Sequence, residues 1–308
     1  MQNTPSALND VKGIKQAISK PKDFNKLINI IAYRSNSYRQ EIVKTYFENY
    51  NISIYDDLKS ELSGKFQEAA ISLFYTPVDF DCMHLRKAMK GLGTNQDTLI
   101  EIIATRSNQR IAEIKQRYPQ LYEGRDLLSD IKKETSGFFR KILESLLEGD
   151  RPNNPCPDEK ECEQCAKKLY EAGINKKDNL EDTYLFMFTK KSQEEFILIT
   201  KMYYKWYSKT LFEAIESLFS GDVKKVLKTI TYSLLSPSEY FAYRINKAIT
   251  GFTTNDTVLT RVIVSRDEID IERIKKYYKQ LYNEELYTAI NNQLKGDYKN
   301  LLLALIRK

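Results

Sequence analysis

The loop at residues 89–94 reads MKGLGT, and its residue types suit the binding of a cation. Glycine adopts backbone conformations that other residues avoid, so two glycines let successive carbonyl oxygens face one point. A hard ion such as calcium takes about six to eight oxygen ligands, preferably with one bidentate carboxylate. The loop therefore predicts a cation site. Many acidic residues lie downstream, and spacing alone does not select the one that completes it.

Other sites built on glycine loops do not fit this spacing. A Walker loop needs GxxxxGK followed by Ser or Thr, and a dinucleotide fingerprint needs a third glycine where this chain has Gln96. No loop has the alternating acidic pattern of an EF-hand. Thr94 and Asp97 form a Thr-x-x-Asp pattern, which predicts that the loop leads directly into a helix.

Cysteine and histidine offer little further chemistry. Cys156, Cys162 and Cys165 are close enough in sequence to hold zinc with a fourth ligand, but they lack paired CxxC spacing. The only histidine, His84, is distant from them in the sequence. Reduced thiols are the expected state, and a zinc site or a local redox pair stays open as an alternative. No set of acid, base and nucleophile can be named, so we expect no catalytic residues and no enzyme.

Composition indicates a globular protein with anionic partners. The 308 residues are 42% hydrophobic and 29% charged, and the late apolar run LLLALI is far shorter than a membrane-spanning helix. We expect a cytoplasmic protein, because the N-terminus does not read as a secretory signal and four cysteines form no disulfide framework. The net charge of +6 favours nucleic acid, acidic protein or an anionic membrane. Lysines are dispersed among acids, so no specific nucleic-acid binding is expected.

Two independent markers recur along the chain. Helical segments ending in a Ser-Gly or Lys-Gly pair place glycines at 64, 137, 221 and 296, with spacings of 73, 84 and 75. The segments AYRSN, ATRSN, TKKSQ and VSRDE place basic residues at 34, 106, 191 and 266, with spacings of 72, 85 and 75. Markers that agree this closely predict four repeats of about 70 residues.

The predicted organisation is all-α, because apolar residues fall at three-and-four spacing and strand patterns are absent. Each repeat is expected to form four or five short helices that bury their apolar faces against neighbours. The proline-rich stretch RPNNPCPDEK marks a linker, which divides the chain into two halves of two repeats. The predicted boundaries are a short N-terminal segment at 1–12, repeat 1 at 13–77, repeat 2 at 78–150, the linker at 151–160, repeat 3 at 161–236 and repeat 4 at 237–308.

Repeat 2 resembles an annexin repeat in the segments MKGLGTNQDTLIEIIATRSNQRIAEIKQRY and GRDLLSDIKKETSGFF, and the resemblance extends over the four repeats. It implies five helices per repeat, a curved disc of four repeats, and calcium-dependent binding of the convex face to anionic phospholipid. It also implies a cytoplasmic protein peripheral to the inner face of membranes. The calcium ligands implied by the resemblance are the carbonyls of Met89, Gly91 and Gly93 and the carboxylate of Glu134.

The other repeats depart from the complete pattern. In repeat 1 the loop ISKPKD has Lys20 and Lys22 in place of the glycines and retains only Glu61, so Glu61 marks an incomplete calcium position. The matching residues are Asp178 and Leu218 in repeat 3, and Thr253 and Gln293 in repeat 4, where Gly251 is retained. We therefore expect repeat 2 to be the principal calcium site and repeats 3 and 4 to hold no calcium of this type.

Side chains in these loops suggest direct contact with lipid. A lysine beside an anionic leaflet contributes roughly 1 kcal/mol, so four loop lysines predict attraction that needs no calcium. These are Lys20, Lys22, Lys176 and Lys177. Leu92, between the two glycines, is expected to enter the headgroup region. The alternative is that these are ordinary solvated surface residues.

The function predicted from these observations is calcium-dependent binding to anionic phospholipid membranes, with Ca²⁺ as the cofactor. The alternative is a structural protein that links the cytoskeleton or other proteins and has weak membrane affinity. The short segment before repeat 1 leaves little room for a partner-binding tail, which favours the membrane function.

Overall fold

The computed structural model describes residues 6–91, 93–175 and 179–307. These residues form twenty helices and no strand, five helices in each repeat, which agrees with the all-α prediction. Leu92, Lys176, Lys177 and Asp178 lie outside the described residues. Within the described part of the chain, no helix has the length and apolar character needed to cross a membrane.

The helices of repeats 1 and 2 are α1 (Ala7–Ile18), α2 (Phe24–Ile31), α3 (Asn36–Tyr50), α4 (Ile54–Glu61), α5 (Gly64–Ser72), α6 (Pro77–Met89), α7 (Gln96–Thr105), α8 (Asn108–Leu121), α9 (Leu127–Glu134) and α10 (Gly137–Glu148). Those of repeats 3 and 4 are α11 (Glu159–Asn175), α12 (Leu180–Thr189), α13 (Gln193–Tyr207), α14 (Leu211–Leu218), α15 (Gly221–Leu235), α16 (Pro237–Ile249), α17 (Asp256–Arg266), α18 (Ile271–Tyr282), α19 (Leu286–Gln293) and α20 (Gly296–Ile306).

The basic-residue marker lies directly before the start of the third helix in repeats 1 to 3, whereas Arg266 of repeat 4 is the last residue of α17. Ser35, Ser107 and Ser192 cap α3, α8 and α13, each accepting a hydrogen bond from a backbone N–H of the first turn. The basic residue before each serine pairs with an acid of the first helix. Arg34 lies 2.6 Å from Asp10, and Arg106 lies 2.7 Å from Asp81. These pairs fix the start of the third helix to the first helix.

The glycine marker is the first residue of the fifth helix in each repeat. Gly64, Gly137, Gly221 and Gly296 have φ values of +61°, +59°, +56° and +67°. A Cβ at any of these positions would meet nothing within 4 Å, so the backbone conformation and not space requires glycine. The glycine therefore recurs at regular spacing because every repeat has a backbone position with positive φ at the start of its fifth helix.

The chain folds into two compact units that do not follow its two halves. One unit comprises Met1–Phe80 and Ser238–Lys308, and the other comprises Asp81–Pro237. In the first unit, α20 packs against α2 and α5, and α17 also packs against α5. In the second unit, α7 packs against α15, and α10 packs against α12. Repeat 1 therefore shares a unit with repeat 4, and repeat 2 with repeat 3, because chain order does not dictate which helices pack. The repeat and linker boundaries read from the sequence stay predictions.

A buried ion pair joins repeats 1 and 4 within the first unit. The Arg39 guanidinium lies 3.6 Å from Asp267, and both side chains are 2% exposed. Burial lowers the pKa of Arg39, while the charges of Asp267 and Glu268 oppose that shift. In the second unit, Arg151 of the linker donates to the carbonyl oxygen of Phe188 at 2.5 Å and so caps the end of α12.

Candidate calcium site

The MKGLGT loop joins α6 to α7 and depends on its two glycines. Gly91 has φ +109° and Gly93 has φ +83°, values that residues with a side chain rarely adopt. The backbone N–H of Asn95 donates to the carbonyl oxygen of Ala88 at 2.8 Å and closes the loop. Both glycines are exposed, so the loop lies at the surface.

The loop leads directly into a helix, one residue later than the sequence predicted. Asn95 is the N-cap of α7, and its side chain accepts a hydrogen bond from the Thr98 N–H at 3.0 Å. Thr94 is therefore not the residue that caps α7. Its hydroxyl instead donates to Oε2 of Glu134, the last residue of α9.

The contact between Thr94 and Glu134 brings the acid to the loop although 40 residues separate them in the chain. Glu134 is half-buried and lines an open depression of about 440 Å³. The other lining residues are Gln96, Lys133, Thr135, Ser136, Phe139, Arg140, Asp222 and Val223. A glycine loop beside one accessible carboxylate is a donor set that suits a hard cation with room for further oxygen ligands.

Side-chain clusters provide no competing metal site within the described ranges. No group of three or more His, Cys, Asp or Glu side chains there could hold an ion. Any cation at the MKGLGT loop would therefore depend mainly on backbone carbonyls. Of the predicted ligands, Met89 is the last residue of α6, and Gly91 and Gly93 lie in the loop that follows it. Glu134 is hydrogen-bonded to Thr94 of the same loop.

The cysteines do not form a metal site. Cys156 is exposed, whereas Cys162 and Cys165 are buried in α11. Burial raises the pKa of the Cys162 thiol to about 11 and also raises the pKa of Cys165. Among the described residues, no group of three or more His, Cys, Asp or Glu side chains includes these thiols in an arrangement that could hold an ion, so the structure gives the zinc alternative no support.

In repeat 1 the loop after the first helix has Lys22 at the position of Gly93 in repeat 2. The Lys22 ammonium lies 3.0 Å from Oε2 of Glu61 and donates to the backbone carbonyl oxygen of Glu61 at 2.5 Å. Glu61 ends α4 as Glu134 ends α9. The carboxylate that the sequence left as an incomplete calcium position is thus paired with an ammonium. Lys20, in the same loop, is exposed.

Repeat 4 retains the loop closure but not the calcium-site residues. The Asn255 N–H donates to the carbonyl oxygen of Ala248 at 2.8 Å, as Asn95 does to Ala88. Gly251 does not adopt the left-handed conformation of Gly91, and Gln293 ends α19 where an acid would be needed. That this loop holds no calcium stays a prediction.

Phe252 is the residue that our reading of the sequence missed. Its side chain is fully exposed, at 108% of the reference value, in the loop between α16 and α17. It occupies the position in ITGFTT that Leu92 occupies in MKGLGT, so the loop alignment was a signal that could have identified it.

In repeat 3 a leucine occupies the position that corresponds to Glu134. Leu218 ends α14, and its side chain lies close to Gly173 of α11. The lysines predicted to contact lipid in this repeat, Lys176 and Lys177, lie outside the described residues. Repeat 3 therefore offers no carboxylate at the position of Glu134.

Comparison with known proteins identifies the family. The Annexin family model matches residues 9–73, 80–146, 164–230 and 240–305. Human (Homo sapiens) Annexin A7 is 35% identical over 301 residues, which are 97% of this chain and 62% of that protein. The solved structure of annexin III superposes with a TM-score of 0.95 at 36% identity, covering 99% of this chain and 95% of that one.

A second solved structure, calcium-bound annexin (Sm)1, has a TM-score of 0.87 at 30% identity, covering 98% of this chain and 90% of that one. Annexins are non-enzymatic, which agrees with the absence of a nameable catalytic set in the sequence. The four matched repeats and the near-complete superposition show that this chain belongs to the annexin family.

Proposed function

We propose that this annexin binds anionic phospholipid through one principal calcium ion in repeat 2. The carbonyls of Met89, Gly91 and Gly93 and the carboxylate of Glu134 are its proposed protein ligands. The observation that supports this assignment most strongly is the hydrogen bond from Thr94 to Glu134, which holds the distant acid at the glycine loop. Annexin (Sm)1 is a calcium-bound relative, which supports calcium as the ion.

The proposed ligands leave positions for lipid. Three carbonyls and a bidentate carboxylate supply about five oxygens, and calcium accepts about six to eight. A lipid phosphate oxygen can complete the coordination, so the ion bridges protein and membrane. The open depression beside Glu134 gives a headgroup access, and Lys133 and Arg140 on its wall add positive charge.

Exposed side chains of other loops are proposed to strengthen the attachment without calcium. Lys20 extends into solvent in repeat 1, and the sequence adds Lys176 and Lys177 in repeat 3. Each contributes roughly 1 kcal/mol beside an anionic leaflet, and salt screens the attraction. Leu92 and Phe252 are proposed to enter the headgroup region, where burial of their apolar surface is favourable.

The test is sedimentation with phosphatidylserine vesicles across a calcium titration, at low and moderate salt. We compare the parent chain with Glu134→Gln, which keeps the size of the side chain and removes its charge. The matched control is Glu61→Gln, the same change at the corresponding position of repeat 1.

Glu134→Gln should abolish calcium-dependent pelleting, while Glu61→Gln should retain it. In chelator at low salt, weak pelleting should persist and disappear as salt rises. Calcium-dependent pelleting that survives Glu134→Gln contradicts the assignment to repeat 2. No pelleting under any condition contradicts membrane binding and favours the protein-linking function.

A further inference from the structure

Lys22 contacts a carboxylate oxygen and a backbone carbonyl oxygen at the end of α4, the two kinds of oxygen that could bind a cation there. Its ammonium lies 3.0 Å from the Glu61 carboxylate and 2.5 Å from the Glu61 backbone carbonyl oxygen. In repeat 2 the corresponding acid, Glu134, accepts from a neutral threonine hydroxyl. The two equivalent carboxylates thus differ in one respect, because a positive charge is already bound to that of repeat 1.

We propose that the Lys22 ammonium is a built-in cation that replaces calcium in repeat 1. It holds the loop to Glu61 at every calcium concentration and excludes the ion from that carboxylate. The comparison with repeat 2 rests on the proposed function of Glu134, whereas the Lys22–Glu61 contact itself does not.

The loop backbone agrees with this replacement. The Asp23 N–H donates to the carbonyl oxygen of Ala17 at 2.8 Å, six residues back. The equivalent bond in repeat 2 joins Asn95 to Ala88, seven residues back. The loop of repeat 1 is therefore one residue shorter, and it lacks the glycines that allow successive carbonyls to face an ion. A lysine supplies the positive charge without needing those carbonyls.

The pairing also distinguishes the two lysines of this loop. The Glu61 carboxylate neutralises the Lys22 charge, although Lys22 is itself an exposed residue. Lys20 is exposed. Lys20 therefore offers an anionic surface a charge that is not shared with Glu61, whereas the charge of Lys22 is shared with it. Direct contact of Lys22 with lipid stays a prediction.

Equilibrium dialysis of the full chain against radioactive calcium, at saturation and without lipid, tests the proposal. The informative variants are Lys22→Met, which keeps the length of the side chain, Glu61→Gln, and the double variant Lys22→Met/Glu61→Gln. Lys20→Met is the matched control, because it removes the same charge from the same loop.

Lys22→Met should lower the midpoint of thermal unfolding relative to the parent, both in calcium and in chelator, because it removes the contact that holds the loop to Glu61 and the loop cannot bind calcium in its place. The double variant should be no less stable than Lys22→Met. Glu61→Gln alone and Lys20→Met should bind as the parent does. A loss of bound calcium in Glu61→Gln would show that Glu61 already binds the ion and would overturn the proposal. A Lys22→Met protein that is as stable in chelator as Lys20→Met would overturn it as well.

Two further measurements keep these outcomes interpretable. Thermal unfolding followed by circular dichroism reports whether Lys22→Met is folded, and the Glu61→Gln result does not depend on that variant. Glu134→Gln in the same dialysis should lose one ion. If it loses none, the proposed function of repeat 2 fails, and the comparison of the Lys22 and Glu61 variants still decides the repeat 1 proposal.

Discussion

The Thr94 hydroxyl donates a hydrogen bond to the Glu134 carboxylate and so ties the loop after α6 to the end of α9. In repeat 1 the ion pair of Lys22 with Glu61 joins the loop after α1 to the end of α4. Both contacts join a loop to the last residue of the fourth helix of a repeat. One uses a neutral donor, which leaves the negative charge of the carboxylate available to a cation, and the other uses an ammonium, which competes with the cation.

Thr94→Val should raise the calcium concentration needed for half-maximal vesicle binding. The hydroxyl orients Glu134 toward the loop, and the loss of one hydrogen bond to a charged group is worth about 1–2 kcal/mol, or roughly fivefold to thirtyfold in affinity. Calcium titration of vesicle sedimentation measures the shift. Thr94→Ser keeps the hydroxyl and should behave as the parent, so an equal shift in both variants would contradict an orienting role.

Phe252→Ser should weaken vesicle binding with no change in the amount of calcium bound. A fully exposed phenylalanine contributes nothing to packing, and its partial burial in lipid is worth about 1–2 kcal/mol, or roughly fivefold to thirtyfold in partition. Phe47→Ser, on α3, removes another exposed phenylalanine and is the control. Equal effects of the two substitutions would show that the loop position of Phe252 has no special importance.

Asp81→Asn should destabilise the fold by about 3 kcal/mol, because it leaves the buried Arg106 guanidinium without its carboxylate partner. The two side chains are only 4% and 9% exposed, so water cannot replace the lost partner easily. Denaturant unfolding followed by circular dichroism measures the loss. Glu181→Gln removes one partner of the exposed pair with Lys141 and should change stability by less than about 1 kcal/mol. A similar small change in Asp81→Asn would contradict the proposed importance of the pair.

Alkylation of the folded protein by iodoacetamide at pH 8 should modify Cys156 rapidly and leave Cys162 and Cys165 unmodified. Only the first is exposed, and the pKa of Cys162 is raised to about 11, so its thiolate fraction is very small until the pH approaches that value. Mass spectrometry of peptides after timed labelling measures the order. Denaturant should expose all the thiols, whereas rapid labelling of Cys162 in the folded state would contradict its burial.

The order of the helices could be predicted from the sequence because the signals for it are local. The serine after Arg34 or Arg106 caps a helix within one turn, and the glycine at Gly137 or Gly221 adopts a conformation that its own backbone requires. A capping serine or a glycine with positive φ is needed again in each repeat that begins a helix in the same way. Spacing therefore determined the number of repeats and their helical character.

The partner of each loop was decided by tertiary packing. Spacing did not select Glu134, because 40 residues and two intervening helices separate it from Thr94 and many acids lie between them. The pairing of Lys22 with Glu61 also depends on where the end of α4 lies against the loop after α1. The pairing of repeat 1 with repeat 4 has the same cause, since contacts such as Arg39 to Asp267 join residues that chain order keeps far apart. Sequence alone determined which elements form, whereas the packing of those elements determined which charges meet.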